Sequence, residues 1–269
     1  MHLEERFQRA TGSVEDISKA LYDSSEQVLI ALLDNPHLTE DHLMVLLSRK
    51  SLPPNVLRDL GMRDKLLRPY RVKLALVRHP RCPRGVALTL VRYLYPFDLV
   101  KVALTPAAAP ELRRVAEEAM MGRAATMPLG ERLTLARLGT ARLAGTLLAD
   151  AHPRVFRTSL DNPRLTEEFV VKALRQRPGL SAEAVAAIAA HGRWMSQYEV
   201  KLALIRHPAA SLRTVLQLVN EVRDADLADL TADPLMPGER RVYLRQFVRA
   251  RRSRAARRPR SSAARSGAT

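Results

Sequence analysis

The sequence predicts an all-α fold built from tandem helical repeats, on three observations. A long segment is duplicated, apolar residues recur at helical spacing, and the alternating pattern of β-strands is absent from a chain with only 4% aromatic residues. The 269 residues are 46% hydrophobic, which is enough to build a sizeable core. A chain that is disordered throughout is therefore excluded.

The duplication is visible in two motifs that recur at a nearly constant offset in sequence number. Val72–Pro80 (VKLALVRHP) reappears as Val200–Pro208 (VKLALIRHP), at an offset of 128 and with one difference. Asp34–Asp41 (DNPHLTED) reappears as Asp161–Glu168 (DNPRLTEE), at an offset of 127. One inserted or deleted residue between the two motifs accounts for the drift. The two halves of the chain are therefore expected to share one helical fold.

Short helices are predicted in and around these motifs. Residues 72, 75, 76 and 79 share one helical face, and Pro80 ends the helix because it lacks an N–H and disfavours helix at the preceding residue. Thr39 and Thr166 each precede two acidic residues, which is the pattern of an N-cap and a first helical turn. A new helix is expected to start after each of them.

Each half also contains a shorter period. Asn35 and His79 each precede a proline at the end of an apolar run, at a spacing of 44, and Pro163 and Pro208 have a spacing of 45. A period in the forties made of helices is typical of HEAT and armadillo arrays. The sequence therefore predicts an α-solenoid.

The chain resembles bacterial HEAT-like and leucine-rich-repeat-variant proteins, in which a helix ending in Asn-Pro or His-Pro precedes a Leu-Thr-Glu-Glu helix start. The residues that carry the resemblance are Leu33–Asp41, Val72–Pro80, Pro153–Glu168 and Val200–Pro208. The resemblance implies an α-solenoid that serves mostly as an interaction surface.

Three regions are predicted: a first helical-repeat unit at 1–125, a second stacked on it at 126–248, and a disordered Arg-rich tail at 249–269. The Gly and Pro residues of Met121–Gly130 indicate the junction between the units. The tail contains eight Arg, no acidic residue and no apolar periodicity, so it carries +8 of the net +16. Such a composition buries too little surface to offset its ordering entropy.

Four polar residues at predicted helix ends are expected to be structural caps: Asn35, His79, Asn162 and His207. Asn and His occupy the same slot in successive repeats, and the property they share is hydrogen bonding. A general base or a metal ligand is not replaceable by Asn. The alternation therefore favours caps over a catalytic or metal site.

No catalytic residue, metal ligand or cofactor-binding residue is predicted, and the chain is not expected to be an enzyme. The one cysteine, Cys82, is expected to be a buried or incidental thiol. Four other histidines lack carboxylate partners at ligand spacing: His37, His42, His152 and His191. The helical-repeat DNA glycosylases resemble the chain in topology and charge, but they use groove aromatics, and Trp194 is expected in the core. That activity is a minor alternative.

Arginine outnumbers lysine by 37 to 7. The planar guanidinium can form two hydrogen bonds to a phosphate or a carboxylate, so the arginine excess can reflect anion binding. A GC-rich genome also produces Arg-rich and Ala-rich chains, and both explanations of the excess stay open. The candidate anion or nucleic-acid contacts are Arg251, Arg252, Arg254, Arg257, Arg258 and Arg260. Such a cluster attracts nucleic acid, an acidic protein or an anionic membrane surface alike.

Together these observations predict a cytoplasmic, non-enzymatic scaffold that binds a protein partner on its concave surface. The alternative is a nucleic-acid-binding α-solenoid that uses arginines and the basic tail. No signal peptide is visible, and no apolar stretch approaches the roughly 18 residues of a membrane helix. One cysteine makes no internal disulfide, which fits a reducing compartment. No small-molecule substrate is indicated.

Overall fold

The computed structural model describes residues 3–176, 180–234 and 236–256. Within these ranges the chain forms nineteen α-helices and no strand, which confirms the all-α prediction. By its internal contacts the chain divides into two compact units, Met1–Leu143 and Ala144–Thr269.

Ten helices precede the division: α1 Leu3–Thr11, α2 Val14–Ala20, α3 Glu26–Leu32, α4 Glu40–Ser48, α5 Pro54–Gly61, α6 Tyr70–Arg78, α7 Arg84–Val91, α8 Pro96–Leu104, α9 Pro110–Ala124 and α10 Leu129–Leu138. The division falls within α11, Ala141–Leu147. The second unit continues with α12 Pro153–Leu160, α13 Glu167–Gln176, α14 Ala182–Ala190, α15 Gly192–Met195, α16 Tyr198–Arg206, α17 Leu212–Val219, α18 Asp224–Ala232 and α19 Gly238–Ala256.

The helix starts of the second half repeat those of the first. The helices α6, α7, α8 and α9 begin at residues 70, 84, 96 and 110, and α16, α17, α18 and α19 begin at residues 198, 212, 224 and 238. All four starts are displaced by the same offset of 128 that separates the VKLAL motifs. The common spacing agrees with the duplication that the two sequence motifs predict. Residues at this offset are called equivalent below.

Local sequence explains where several helices begin and end. Thr39 is the N-cap of α4, and its side chain accepts a hydrogen bond from the His42 N–H, as the sequence predicts. α6 ends at Arg78 with His79 as its C-cap, directly before Pro80. The residues Val72, Leu76 and His79 are buried on one face of this segment, so the predicted apolar face is confirmed there.

Close helix packing in the first unit depends on a small residue at the end of α5. A Cβ at Gly61 would lie 2.5 Å from a methyl carbon of Val86 in α7. Any larger residue would push these two helices apart, because packed cores have no space to absorb the overlap.

The predicted disorder from residue 249 is wrong for residues 249–256, because α19 continues to Ala256. Arg and Ala are both strong helix formers, and tertiary contacts hold this last stretch. The Nη1 atom of Arg251 donates to the Val222 carbonyl at 2.8 Å, and its Nε lies 3.1 Å from Asp224 Oδ1. Residues 257–269 lie outside the described residues.

The junction predicted over Met121–Gly130 is shorter than the sequence indicates. α9 continues to Ala124 and α10 begins at Leu129, so only residues 125–128 interrupt the helices. The short repeat of 44 residues contains three helices and not a pair. Between Asn35 and His79 these are α4, α5 and α6.

Candidate functional site

The four residues predicted as caps are all buried, and each closes the turn that follows its helix. Each side chain accepts a hydrogen bond from the backbone N–H two residues further on, at 2.9 Å for Asn35, 3.2 Å for His79, 2.8 Å for Asn162 and 3.2 Å for His207. The acceptor is Oδ1 in asparagine and Nδ1 in histidine. The bond therefore stabilises the turn after the helix, and not the last carbonyls of the helix itself.

The hydrogen bonds of His79 determine its tautomer. Because Nδ1 accepts the Arg81 N–H, the ring proton is on Nε2, which donates to the Arg49 carbonyl at 3.0 Å. Asn35 acts in the same way, since its Nδ2 donates to the Ala10 carbonyl at 2.8 Å. An amide and a neutral imidazole each supply one acceptor to their own turn and one donor to a carbonyl at the end of an earlier helix. Both ring nitrogens of His79 are thus engaged.

Many arginines bind the chain's own backbone, a role that sequence reasoning missed. In the described ranges at least seven donate to backbone carbonyls: Arg49, Arg81, Arg123, Arg193, Arg240, Arg241 and Arg251. Carbonyls at helix ends lack intrahelical donors and carry partial negative charge, so a guanidinium fork satisfies several at once. Part of the arginine excess is therefore structural.

Arg251, predicted to contact an anion, is the equivalent of Arg123 in the first half. Arg123 Nη1 donates to the Leu94 carbonyl at 2.8 Å, and Arg251 Nη1 donates to the Val222 carbonyl at the same distance. The two acceptors, Leu94 and Val222, are equivalent as well. Of the other predicted contacts, Arg252 is an exposed residue of α19, only the backbone of Arg254 is described, and Arg257, Arg258 and Arg260 lie outside the described residues.

A tyrosine and an aspartate form the same contact in both halves. The Tyr70 hydroxyl donates to Asp98 Oδ2 at 2.6 Å, and the Tyr198 hydroxyl donates to Asp226 Oδ2 at 2.6 Å. Each hydroxyl also accepts a backbone N–H, at 3.0 Å, from the residue three before the aspartate. Burial, followed by the bond to Asp98, raises the pKa of Tyr70 to about 12. The Tyr198 hydrogen bond, followed by one from Arg223, lowers the pKa of Asp226.

Around Tyr70 the first unit displays an aromatic patch, defined as Tyr70, Tyr93, Tyr95 and Phe97. Tyr93 and Tyr95 are 59% and 62% exposed, and Phe97 is 38% exposed. The rings of Tyr70 and Tyr95 lie with centroids 4.1 Å apart, and the Lys73 Nζ is 6.0 Å from the Tyr93 centroid. The patch thus combines exposed aromatic rings with a cation at its edge.

The second unit has the same tyrosine–aspartate contact, but different residues lie at the exposed positions around it. The equivalents of Tyr93, Tyr95 and Phe97 are Glu221, Arg223 and Ala225. The Arg223 guanidinium lies 4.6 Å from the Tyr198 centroid, and Lys201 forms an ion pair with Glu221. The helices therefore form without exposed aromatic residues at these three positions, so Tyr93, Tyr95 and Phe97 are not required by the fold. The sequence signal of the patch is three aromatic residues within five positions.

The remaining tryptophan, cysteine and histidine candidates are held in environments that do not indicate catalysis or ligand binding. Trp194 is buried, donates from Nε1 to the Leu160 carbonyl at 3.0 Å and stacks on Arg193, so its ring offers no surface for stacking a base. Burial raises the pKa of the Cys82 thiol to about 12, which leaves it protonated near neutral pH. His191 Nε2 lies 3.0 Å from Asp161 Oδ1. In the part of the chain that the structure describes, His, Cys, Asp and Glu side chains form no group of three suited to a metal ion.

Comparison of the chain with protein-family models, with curated proteins and with solved structures found no match. Among the described helices, none is both long and apolar enough to cross a membrane.

Proposed function

We propose that the chain is a non-enzymatic α-solenoid scaffold that binds a protein partner, with the aromatic patch at the centre of the binding surface. One observation carries the proposal: the first unit exposes Tyr93, Tyr95 and Phe97 at positions where the second unit has polar or small residues. Exposed aromatic residues that the fold does not require are typical of interaction sites.

The solenoid part of the proposal is supported by which helices contact one another. In the first unit α3 packs on α5, α4 on α6, and α7 on α9. In the second unit α12 packs on α14, α13 on α16, and α18 on α19. Contacts between helices that are close in sequence are typical of repeat arrays, in which each repeat touches its neighbours.

The chemistry of the patch favours an acidic protein segment as the partner. Tyrosine is enriched in interface hot spots, because it supplies a large apolar ring and a hydrogen-bonding hydroxyl. The Lys73 Nζ lies 6.0 Å from the Tyr93 centroid, and the chain as a whole carries +16. Positive charge at the edge of an apolar centre attracts acidic partners and speeds their association.

Single-stranded nucleic acid is the second candidate, because its bases also stack on exposed aromatic rings. Such binding depends on arginines that are free to reach phosphates. At least seven arginines instead bind the chain's own carbonyls, including Arg251 from the predicted tail. This use of arginine favours the protein partner.

The test replaces the patch with the residues of the second unit, as Tyr93→Glu, Tyr95→Arg and Phe97→Ala together. The triple variant is expected to fold, because the second unit forms the same frame with these residues. Partner capture from the native host lysate is compared for both proteins, with and without nuclease. We expect capture that resists nuclease and falls at least tenfold in the triple variant.

A matched control substitutes Leu212, an exposed apolar residue of the second unit, with alanine. This control is expected to leave capture unchanged. Capture that persists in the triple variant would contradict the proposal. Capture that disappears after nuclease treatment would favour the nucleic-acid candidate.

A further inference from the structure

The turn that follows α16 in the second unit is closed by the side chain of Arg240. Its guanidinium donates to the carbonyls of His207, Pro208 and Ala210, with 2.8 Å to Pro208. Arg240 is the third residue of α19, so it reaches across from the start of the next long helix. Three backbone acceptors of one turn are thus satisfied by a single guanidinium.

The corresponding turn of the first unit has a leucine in place of this arginine. α9 is the equivalent of α19, and its third residue is Leu112. The carbonyls equivalent to those bound by Arg240 belong to His79, Pro80 and Cys82. A cavity of about 370 Å³ lies beside this turn, lined by these three residues and by Leu112.

Small side chains explain why the cavity exists. Ala108 lines it, whereas its equivalent is Met236, which is buried in the second unit. Leu112 likewise lacks the guanidinium that Arg240 extends to the turn. At both positions the second unit therefore has a longer side chain than the first.

A carboxylate of the second unit is also replaced by a different residue at this cavity. In the second unit Arg206 Nε lies 3.2 Å from Asp233 Oδ2. The equivalent residues of the first unit are Arg78 and Thr105, and both line the cavity. The first unit therefore has a threonine at the position where the second unit has the carboxylate that pairs with Arg206. Arg84, a further residue of the lining, forms an ion pair with Glu111.

We propose that this cavity binds a small molecule with a guanidinium at one end and a carboxylate at the other, two groups that free arginine carries together with an α-ammonium group. The ligand guanidinium takes the place of Arg240 on the carbonyls of His79, Pro80 and Cys82. Its carboxylate takes the place of Asp233 on Arg78, where a guanidinium and a carboxylate can pair through two hydrogen bonds. The cavity volume lies within the usual range for small-molecule sites. This site is separate from the aromatic patch and does not depend on the proposed protein partner.

Isothermal titration calorimetry of the full chain tests the ligand chemistry. The probes are L-arginine, agmatine, which lacks the carboxylate, and L-citrulline, which replaces the guanidinium with a neutral urea group. We expect L-arginine to bind and each of the other two to bind at least tenfold more weakly. Absence of binding heat with millimolar L-arginine, or equal binding of all three probes, would overturn the proposal.

Variants of the cavity test its location. Leu112→Arg supplies the guanidinium from the chain itself, so it should abolish L-arginine binding and raise the melting temperature. Leu112→Met is the matched control and should keep the binding. Ala108→Met fills the cavity as the second unit does, and provides an independent test if Leu112→Arg alters the circular dichroism spectrum. L-arginine binding that survives in folded Ala108→Met and Leu112→Arg proteins would place the ligand elsewhere and refute the site.

Discussion

Tyr70 donates its phenolic hydrogen to Asp98 across 2.6 Å and thereby joins the first turn of α6 to the first turn of α8. The same bond recurs between Tyr198 and Asp226 in the second half, also at 2.6 Å. A repeated bond of this kind identifies a structural requirement of the repeat. The residues that differ around it, such as Tyr93 and Glu221, are therefore free to take other roles.

Replacing Tyr70 with phenylalanine should lower the free energy of unfolding by about 1.5–3 kcal/mol, because it removes the hydrogen bond to the charged Asp98 and the one accepted from the Tyr95 N–H. Tyr198→Phe should have a similar effect in the second half. Urea denaturation followed by circular dichroism measures both. A loss of stability in one variant and none in the other would show that the two hydrogen bonds are not equivalent.

Alkaline pH should destabilise the protein through the same tyrosine. The pKa of Tyr70 is raised from 10.0 to about 12 in the folded chain, so the folded state holds the proton more tightly than the unfolded state does. This contribution to stability is complete below pH 10 and is lost as pH rises toward about 12. Comparing the pH dependence of unfolding for wild type and Tyr70→Phe isolates the effect. Identical slopes for the two proteins above pH 10 would contradict it.

His79→Asn should leave stability nearly unchanged, whereas His79→Ala should cost about 1 kcal/mol or more. Asparagine can supply one acceptor to the Arg81 N–H and one donor to the Arg49 carbonyl, as Asn35 does in its own turn, and alanine supplies neither. The same pair of variants at His207 provides a repeat of the test. Chemical denaturation is the measurement, and equal losses for Asn and Ala would refute the role in the turn.

Arg251→Ala should reduce stability by about 1 kcal/mol, because Arg251 anchors α19 to the Val222 carbonyl and to Asp224. Truncation after Val248 should lower the melting temperature for the same reason. Arg252→Ala, at an exposed position of the same helix, is the control and should have little effect. If both arginine variants melt like the wild type, the anchoring contact does not contribute.

Nucleic-acid binding is expected to be weak and to fall steeply between about 50 and 200 mM salt, as binding through phosphates alone does. Titration of fluorescent single-stranded DNA at several salt concentrations measures the slope. The triple variant of the aromatic patch should leave this binding almost unchanged. Tight binding at physiological salt that requires Tyr93 and Tyr95 would instead make nucleic acid the ligand of the patch.

Much of the fold was predictable because its signals are local. Pro80 ends α6, Thr39 caps α4, and apolar spacing identifies the buried face of α6, all through interactions within a few residues. The duplicated motifs likewise predict that helix starts repeat, and the starts of α6 to α9 recur in α16 to α19 at an offset of 128. The equivalent role of Asn and His at the turns was also visible in the sequence, since their side chains share the same hydrogen-bonding capacity.

Only the tertiary structure decided which arginine, tyrosine and histidine side chains form hydrogen bonds, and with which partners. The arginines that bind carbonyls reach partners far away in the sequence, as Arg123 does at Leu94 and Arg193 at Asn162, and no local pattern specifies such a contact. Helix continuation through Arg251 depends on the same kind of distant acceptor.

The exposure of Tyr93 and Tyr95 and the cavity beside His79 depend on which side chains from other helices cover them. Sequence by itself determined the local conformation of this protein, whereas packing between helices decided its surface, because exposure and long-range hydrogen bonds exist only once separate segments have come together.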